Sequence, residues 1–211
     1  MTGAGVPLGA GLRHDERVPV LDLSPDLTYR PRPHRRAAQE PSHATVAAAV
    51  SAARWPGQVL SLASVLGSLV YPVVAFTGAA ERVRRRQPPT LHLETLDVWE
   101  TMPSTETPPA PVRIIGFVST AAGWSTALDQ VRSLSGLGAG MVLRRRPSPA
   151  LPLMDADATG VWVAGIDPAE QVPRVWVTGR RGPTSMATRV AATRLMEEGL
   201  FAHALACNAI S

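Results

Sequence analysis

The sequence predicts an α/β protein, with α+β as the neighbouring alternative: a small βαβββα sandwich preceded by an apolar helix or helical hairpin and a disordered N-terminal arm. Three observations lead there. Between residues 112 and 206, apolar runs of strand length alternate with segments whose apolar residues recur at helical spacing. Residues 55–80, WPGQVLSLASVLGSLVYPVVAFTGAA, contain no charged residue and are closed by the cationic run Glu81-Arg82-Val83-Arg84-Arg85-Arg86. Residues 1–43 are punctuated by Gly, Pro and charge, with no sustained apolar period.

In the arm, Tyr29-Arg30-Pro31-Arg32-Pro33 favours extended, polyproline-like backbone, because the residue before each proline is pushed out of the helical region. Val18-Pro19-Val20-Leu21-Asp22-Leu23 alternates weakly and would suit an edge strand, where proline is tolerated; a mobile arm is the plainer reading.

Residues 44–87 are expected to hold the apolar helix or hairpin. ATVAAAVSAAR, residues 44–54, is rich in helix-favouring alanine and is broken by Pro56-Gly57. Residues 58–77 approach the roughly 20 apolar residues of a membrane span. Their Ser, Gly, Tyr and Pro offset a gain of only about 0.3–0.6 kcal/mol per Leu, Val or Phe. At about 100° per residue, Ser61, Ser64 and Ser68 fall on one stripe, while Leu62, Leu66, Leu69 and Val73 cover the remainder. That arrangement predicts a helix-packing interface, against a second helix in a bilayer or inside a soluble core, and both stay open. Arginines flank both ends, so orientation in a membrane rests on a weak asymmetry. A secretory signal is not expected, since the apolar run begins beyond roughly the first 15–30 residues.

Residues 88–111 read as a strand and a linker. Pro88-Pro89 stops any helix, TLHLETLDVW alternates as a strand with a one-residue slip near Glu94-Thr95, and MPSTETPPAP is a proline-rich loop. From 112 to 206 the small domain begins with VRIIGFV, apolar on both faces like a covered central strand. Trp124, Leu128, Val131 and Leu134 follow at helical spacing, and Gly136 and Gly138 end that helix. Met141-Val142-Leu143 completes a βαβ unit, right-handed by the general rule. GVWVAGI (160–166) and RVWVT (174–178) form a hairpin in which Trp162 and Trp176 pair. A closing helix starts near Thr184, packs through Ala187, Val190, Ala191 and Leu195, and ends or bends at Gly199. Residues 207–211 are tail.

All 21 Lys+Arg positions are arginine, and the formal net charge is +4. An isoelectric point near 10.4 admits an anionic partner such as nucleic acid, a lipid headgroup or an acidic protein without requiring one. Cys207 is the single cysteine, so no disulfide forms within the chain, which fits a reducing compartment.

Three candidate features carry chemistry. The loop Gly179-Arg180-Arg181-Gly182-Pro183-Thr184-Ser185 joins a strand to a helix start, where free N–H groups and the helix dipole favour an anion. It lacks the terminal Gly-Lys-Ser/Thr of a phosphate-binding P-loop. Arg82, Arg84, Arg85 and Arg86 form one basic patch and Arg144, Arg145 and Arg146 another, able to face phosphates or to flank an element as solvated charge. Asp155 and Asp157 share a face if extended, and His203 and Cys207 lie i, i+4, but neither pair completes a metal site. No catalytic residue, metal site or cofactor is indicated. The reading is a non-enzymatic accessory or assembly protein, cytoplasmic or on the cytoplasmic face of a membrane. It is tethered through residues 58–77 to a membrane, a partner protein or a second copy, and carries an arginine-rich interaction domain. A soluble nucleic-acid-binding module, or binder of another polyanion, is the alternative. An enzyme or binder of a phosphorylated or acidic small molecule at residues 179–185 is the third.

Overall fold

The computed structural model describes residues 20–21, 41–102, 107–145, 149–166, 172–183 and 191–210. In chain order the elements are β1 (Val20–Leu21), α1 (His43–Ala52), β2 (Gln58–Val59), β3 (Ala63–Val65), β4 (Ser68–Phe76), α2 (Ala79–Arg84), α3 (Leu93–Thr101), β5 (Val112–Ser119), α4 (Trp124–Ser133), β6 (Ala139–Arg144), α5 (Ala150–Thr159), β7 (Trp162–Ile166), β8 (Pro173–Val177) and α6 (Ala191–Ala206). The α/β class expected from the sequence is what forms. One mixed sheet runs β1-β3-β4-β5-β6-β7-β8, with β2 also pairing β4. Strands β5, β6 and β7 are parallel and are joined through α4 and α5, while β4 and β8 flank them antiparallel.

The alternation of side chains sorts the core onto two faces. Val73, Val118, Met141, Leu143, Trp162 and Ala164 meet α1 through Val46, Ala49, Val50 and Ala53. On the opposite face Val142 and Val163 pack against α4 and α5, and Val74 and Phe117 against Met196, Leu200 and Phe201 of α6. Helix α1 starts where Ser42 caps it, its Oγ accepting from the Thr45 N–H at 3.2 Å.

Residues 58–77 are therefore not a helix, and the expected helix or helical hairpin of 44–87 is limited to α1 and α2. The uncharged stretch supplies β2, β3 and β4 to the same sheet as the downstream domain. The physical reason lies in Val59, Val65, Val70, Val73 and Val74, β-branched residues that suit a pleated surface, and in Pro72, which would break a helix interior. Pro72 lies between the parts of β4 paired by β3 and by β2, and its carbonyl accepts from the Leu60 N–H at 2.8 Å. A strand covered on both faces reads as a continuous apolar run, the same pattern as a buried helix. The serine stripe dissolves accordingly. Ser64 and Ser68 are buried in different strands, Ser61 is exposed between strands, Leu62 is half-buried and Val73 is fully buried, while Leu66 and Leu69 face solvent. Among the described residues no helix is long and apolar enough to cross a membrane.

Other expectations change too. The segment expected as a bulged strand at 90–99 forms helix α3, because Leu96 buries and its neighbours at 95 and 97 stay exposed. Residues 150–159 form a helix, α5, absent from the βαβββα order, and it ends at Gly160 in the left-handed conformation (φ 71°). Trp162 and Trp176 do not pair. The β7–β8 register shifts between Val163 and Ala164, which leaves Trp176 on the α5 side, where it lies over Gly165; a Cβ there would overlap its ring. Trp162 meets Trp55 edge-on instead, centroids 5.9 Å apart. Gly199 does not end α6, which continues to Ala206 and buries Gly199. In the arm, Val20–Leu21 pairs parallel with β3 as an edge strand. Residues 1–19 and 22–40 of the arm, with Ala187 and Val190, lie outside the described residues.

Candidate functional site

The three arginine groups are used differently, and the one that closes β6 stands at the opposite end of that strand from the one after β8. Arg82 belongs to the interior: it is 1% exposed, and its guanidinium grips Glu198 from two nitrogens, at 2.9 Å and 3.1 Å. Arg194 approaches the same carboxylate at 3.0 Å, the Thr90 N–H donates to it at 3.0 Å, and Arg82 also donates to the Pro88 carbonyl. Burial pulls the Arg194 guanidinium below its ordinary value, with Glu198 and Glu197 opposing that shift. The Arg82 ring contact with Phe201 and the Arg194 contact with Trp99 complete a knot that ties α2, α3 and the 88–90 segment to α6. No spacing rule in the sequence links position 82 to position 198, so this network was not legible beforehand.

Arg84 and Arg85 are exposed and share Glu81, at 3.8 Å and 2.6 Å. Arg86 is exposed beside them. At the far end of β6, Arg144 donates to the Ala121 and Ala122 carbonyls at 3.2 Å and 2.6 Å, which fixes the β5–α4 loop. Arg145 is exposed, and Arg146 lies outside the described residues. Five residue steps of roughly 3.3 Å separate Arg144 from the start of β6, about 16 Å, and it is at that start that the third group gathers.

There the loop after β8 is held by its backbone. The Arg180 N–H donates to the Gly160 carbonyl at 2.8 Å, and the Trp162 indole N–H donates to the Arg180 carbonyl at 2.8 Å. The Arg181 guanidinium lies over the Trp162 ring at 5.9 Å. The Arg180 side chain runs across Gly160 so closely that a Cβ on that residue would come within 2.7–2.9 Å of it. Arg180 thus borders a cleft of about 340 Å³, with Arg132 and Ser135 from the end of α4, Gly138 and Gly140 at the start of β6, and Gly182. Of the expected anion loop, Arg180 and Gly182 border this cleft, whereas Arg181 lies on Trp162 and Gly179 packs against Gly160 and Trp162. Thr184 and Ser185 lie outside the described residues, together with the helix start on which the expectation partly rested.

Asp155 and Asp157 sit on helix α5 rather than on an extended turn, so two residues apart they diverge around the helix, both exposed. His203 is buried and its Nε2 donates to the Ser61 carbonyl at 3.0 Å, with the Cys207 sulfur 3.8 Å from Nδ1. That pair fastens the end of α6 to the β2–β3 segment. Among the described residues no group of three or more His, Cys, Asp or Glu side chains is placed to hold a metal ion.

The remaining unusual feature is the β3–β4 hairpin. Its two-residue loop, Leu66-Gly67, has φ of 48° and 77°, and Val65 pairs with Ser68 across it. Such a turn selects Asn, Asp or Gly at both positions, yet here a leucine occupies the first and is 59% exposed, with Leu69 40% exposed beside it. The hairpin is fixed to α4 through Ser68 Oγ and Ser133 Oγ, 3.1 Å apart. Comparison with family models, with curated proteins and with solved structures returns no match to the chain, so the functional reading rests on the geometry of its own residues.

Proposed function

We propose that this chain is a non-enzymatic accessory or assembly protein that docks on a partner protein through the tip of its β3–β4 hairpin. The observation that carries the reading is Leu66: a side chain held in the left-handed region at a cost of roughly 1–2 kcal/mol, and turned to water rather than into the core. Leu151 and Met154 on α5 are also exposed, but scattered apolar side chains are normal on a surface. Neither has a strained backbone to account for. Leu66 and Leu69 would each contribute about 1.5–3 kcal/mol if fully covered. That suits an anchor within a larger interface and falls short of holding a protein on a bilayer, since even one myristoyl chain binds only marginally. A partner protein with an apolar recess is therefore favoured over a lipid surface. Arg82 is buried on Glu198 and Arg144 is engaged by the Ala121 and Ala122 carbonyls, which leaves fewer guanidinium groups for nucleic acid and weighs against that alternative.

The test is photo-cross-linking in the native host, with the photoreactive residue placed at position 66 and, as control, at position 84. The reading expects a discrete adduct from 66 that is absent from 84 and is lost when Leu69 is replaced by serine. It also expects Leu66→Asn to unfold no earlier than wild type, because asparagine tolerates the turn conformation better. Identical adduct patterns from both positions, or none from 66, would remove the proposal.

A further inference from the structure

From the cleft at the start of β6 we infer a second, independent site, which binds a small phosphomonoester carrying hydroxyl groups. Two guanidinium groups, Arg132 and Arg180, border it, and among the described residues neither has an ion-pair partner and no carboxylate lines the cleft. Guanidinium forks match the terminal oxygens of a phosphate in pairs, which a rounded ammonium does not. Arg180 is pre-positioned by the two backbone bonds that fix its loop and by the bare Cα of Gly160 beneath its side chain, so little ordering is lost on binding.

The surroundings narrow the ligand. The cleft lies where α4 and α5 end, and helix C-termini carry about half a negative charge each. Two arginines against two such ends leave roughly one net positive charge, which fits one phosphate group rather than a string of them. Ser135 also lines the cleft, and its hydroxyl can accept as well as donate, which suits a ligand that donates hydrogen bonds as well as carrying an anion. Hydroxyl groups on a short carbon chain supply that. A volume of about 340 Å³ stands near the lower limit of ligand pockets, roughly 300–1,000 Å³, and Arg144 points away at the other end of β6. Both features favour a compact phosphate ester over a polynucleotide.

The site is tested by isothermal titration of the full chain with glycerol 3-phosphate, with inorganic phosphate and with a short single-stranded DNA in parallel. Saturable binding of glycerol 3-phosphate, tighter than that of inorganic phosphate, is expected. Arg132→Ala and Arg180→Ala should each weaken it about tenfold or more, as expected for loss of a hydrogen bond to a charged group, while Arg84→Ala leaves it unchanged. Where Arg180→Ala fails to fold, Arg180→Lys keeps the charge and loses the fork, and should still weaken binding severalfold. No saturation at millimolar concentration, equal affinity in folded Arg132→Ala and wild type, or tighter binding of DNA than of the ester would each overturn the inference. Leu66→Asn should leave this titration unaltered, so failure at the cleft and failure at the hairpin tip are told apart.

Discussion

Glu198 is the side chain whose loss the fold should tolerate least. It is fully buried and accepts from Arg82 twice, from the Arg194 Nε–H and from the Thr90 N–H, with Arg194 Nη2 3.0 Å away. In Glu198→Gln the shape is kept, but the charge facing the buried Arg82 and half-buried Arg194 guanidinium groups is gone. The new amide N–H₂ must also face either Arg donors or the Thr90 N–H, donor against donor. Breaking a buried ion pair from one side costs about 3–5 kcal/mol, a large part of the 5–15 kcal/mol that holds a typical domain. At about 2–4 °C per kcal/mol for a chain of this size, the melting temperature should fall by roughly 6–20 °C. Glu81→Gln is the comparison, since its pairs with Arg84 and Arg85 are solvent-exposed and such pairs contribute at most about 1 kcal/mol. Both variants are measured by thermal and urea unfolding followed by circular dichroism. If Glu198→Gln loses no more stability than Glu81→Gln, the knot does not fasten α2 and α3 to α6 and the reasoning fails.

Two further core substitutions are informative. Gly165→Ala should destabilise by about 1–3 kcal/mol, because the added methyl collides with the Trp176 ring, and near-wild-type urea unfolding would contradict the assigned β7–β8 bulge. Trp55→Phe and Trp162→Phe remove the same atoms from the two rings that meet edge-on. Among the described residues the buried Trp55 indole N–H has no partner, whereas that of Trp162 holds the Arg180 carbonyl. Trp162→Phe should therefore be the costlier by about 0.5–1.5 kcal/mol, since it removes a part-buried hydrogen bond; equal losses in unfolding assays would refute the asymmetry.

Much of the fold is legible in the residues and some of it is not, for identifiable reasons. Residues 112–119 and 124–133 announce a strand and a helix because both patterns are strong and bounded. The 58–76 region misleads because a strand apolar on both faces and a buried helix look alike in composition, and only valine enrichment and Pro72 tell them apart. At 90–99, Leu91, Leu93, Leu96 and Val98 happen to fit period two, while helix formation is settled by the docking of α3 on α6. The arginines and glycines at 179–182 raise the expectation of an anion from the residues alone. That Arg132 borders the same cleft as Arg180 has no signal in the sequence, because it arrives from a helix end some 48 residues earlier in the chain. Leu66 gives no signal at all until its backbone angle is seen.

The central structural claim is that the uncharged stretch is sheet, with its exposed leucines, Leu66 and Leu69, at the β3–β4 hairpin. Cross-strand nuclear Overhauser effects measured by NMR test it most directly. The account predicts contacts linking Tyr71 with Val118, Val73 with Gly116 and Phe76 with Val112, and Val65 with Ser68 across the turn. A ladder of i, i+3 contacts running through residues 59–76, with no contact to residues 112–118, would contradict it.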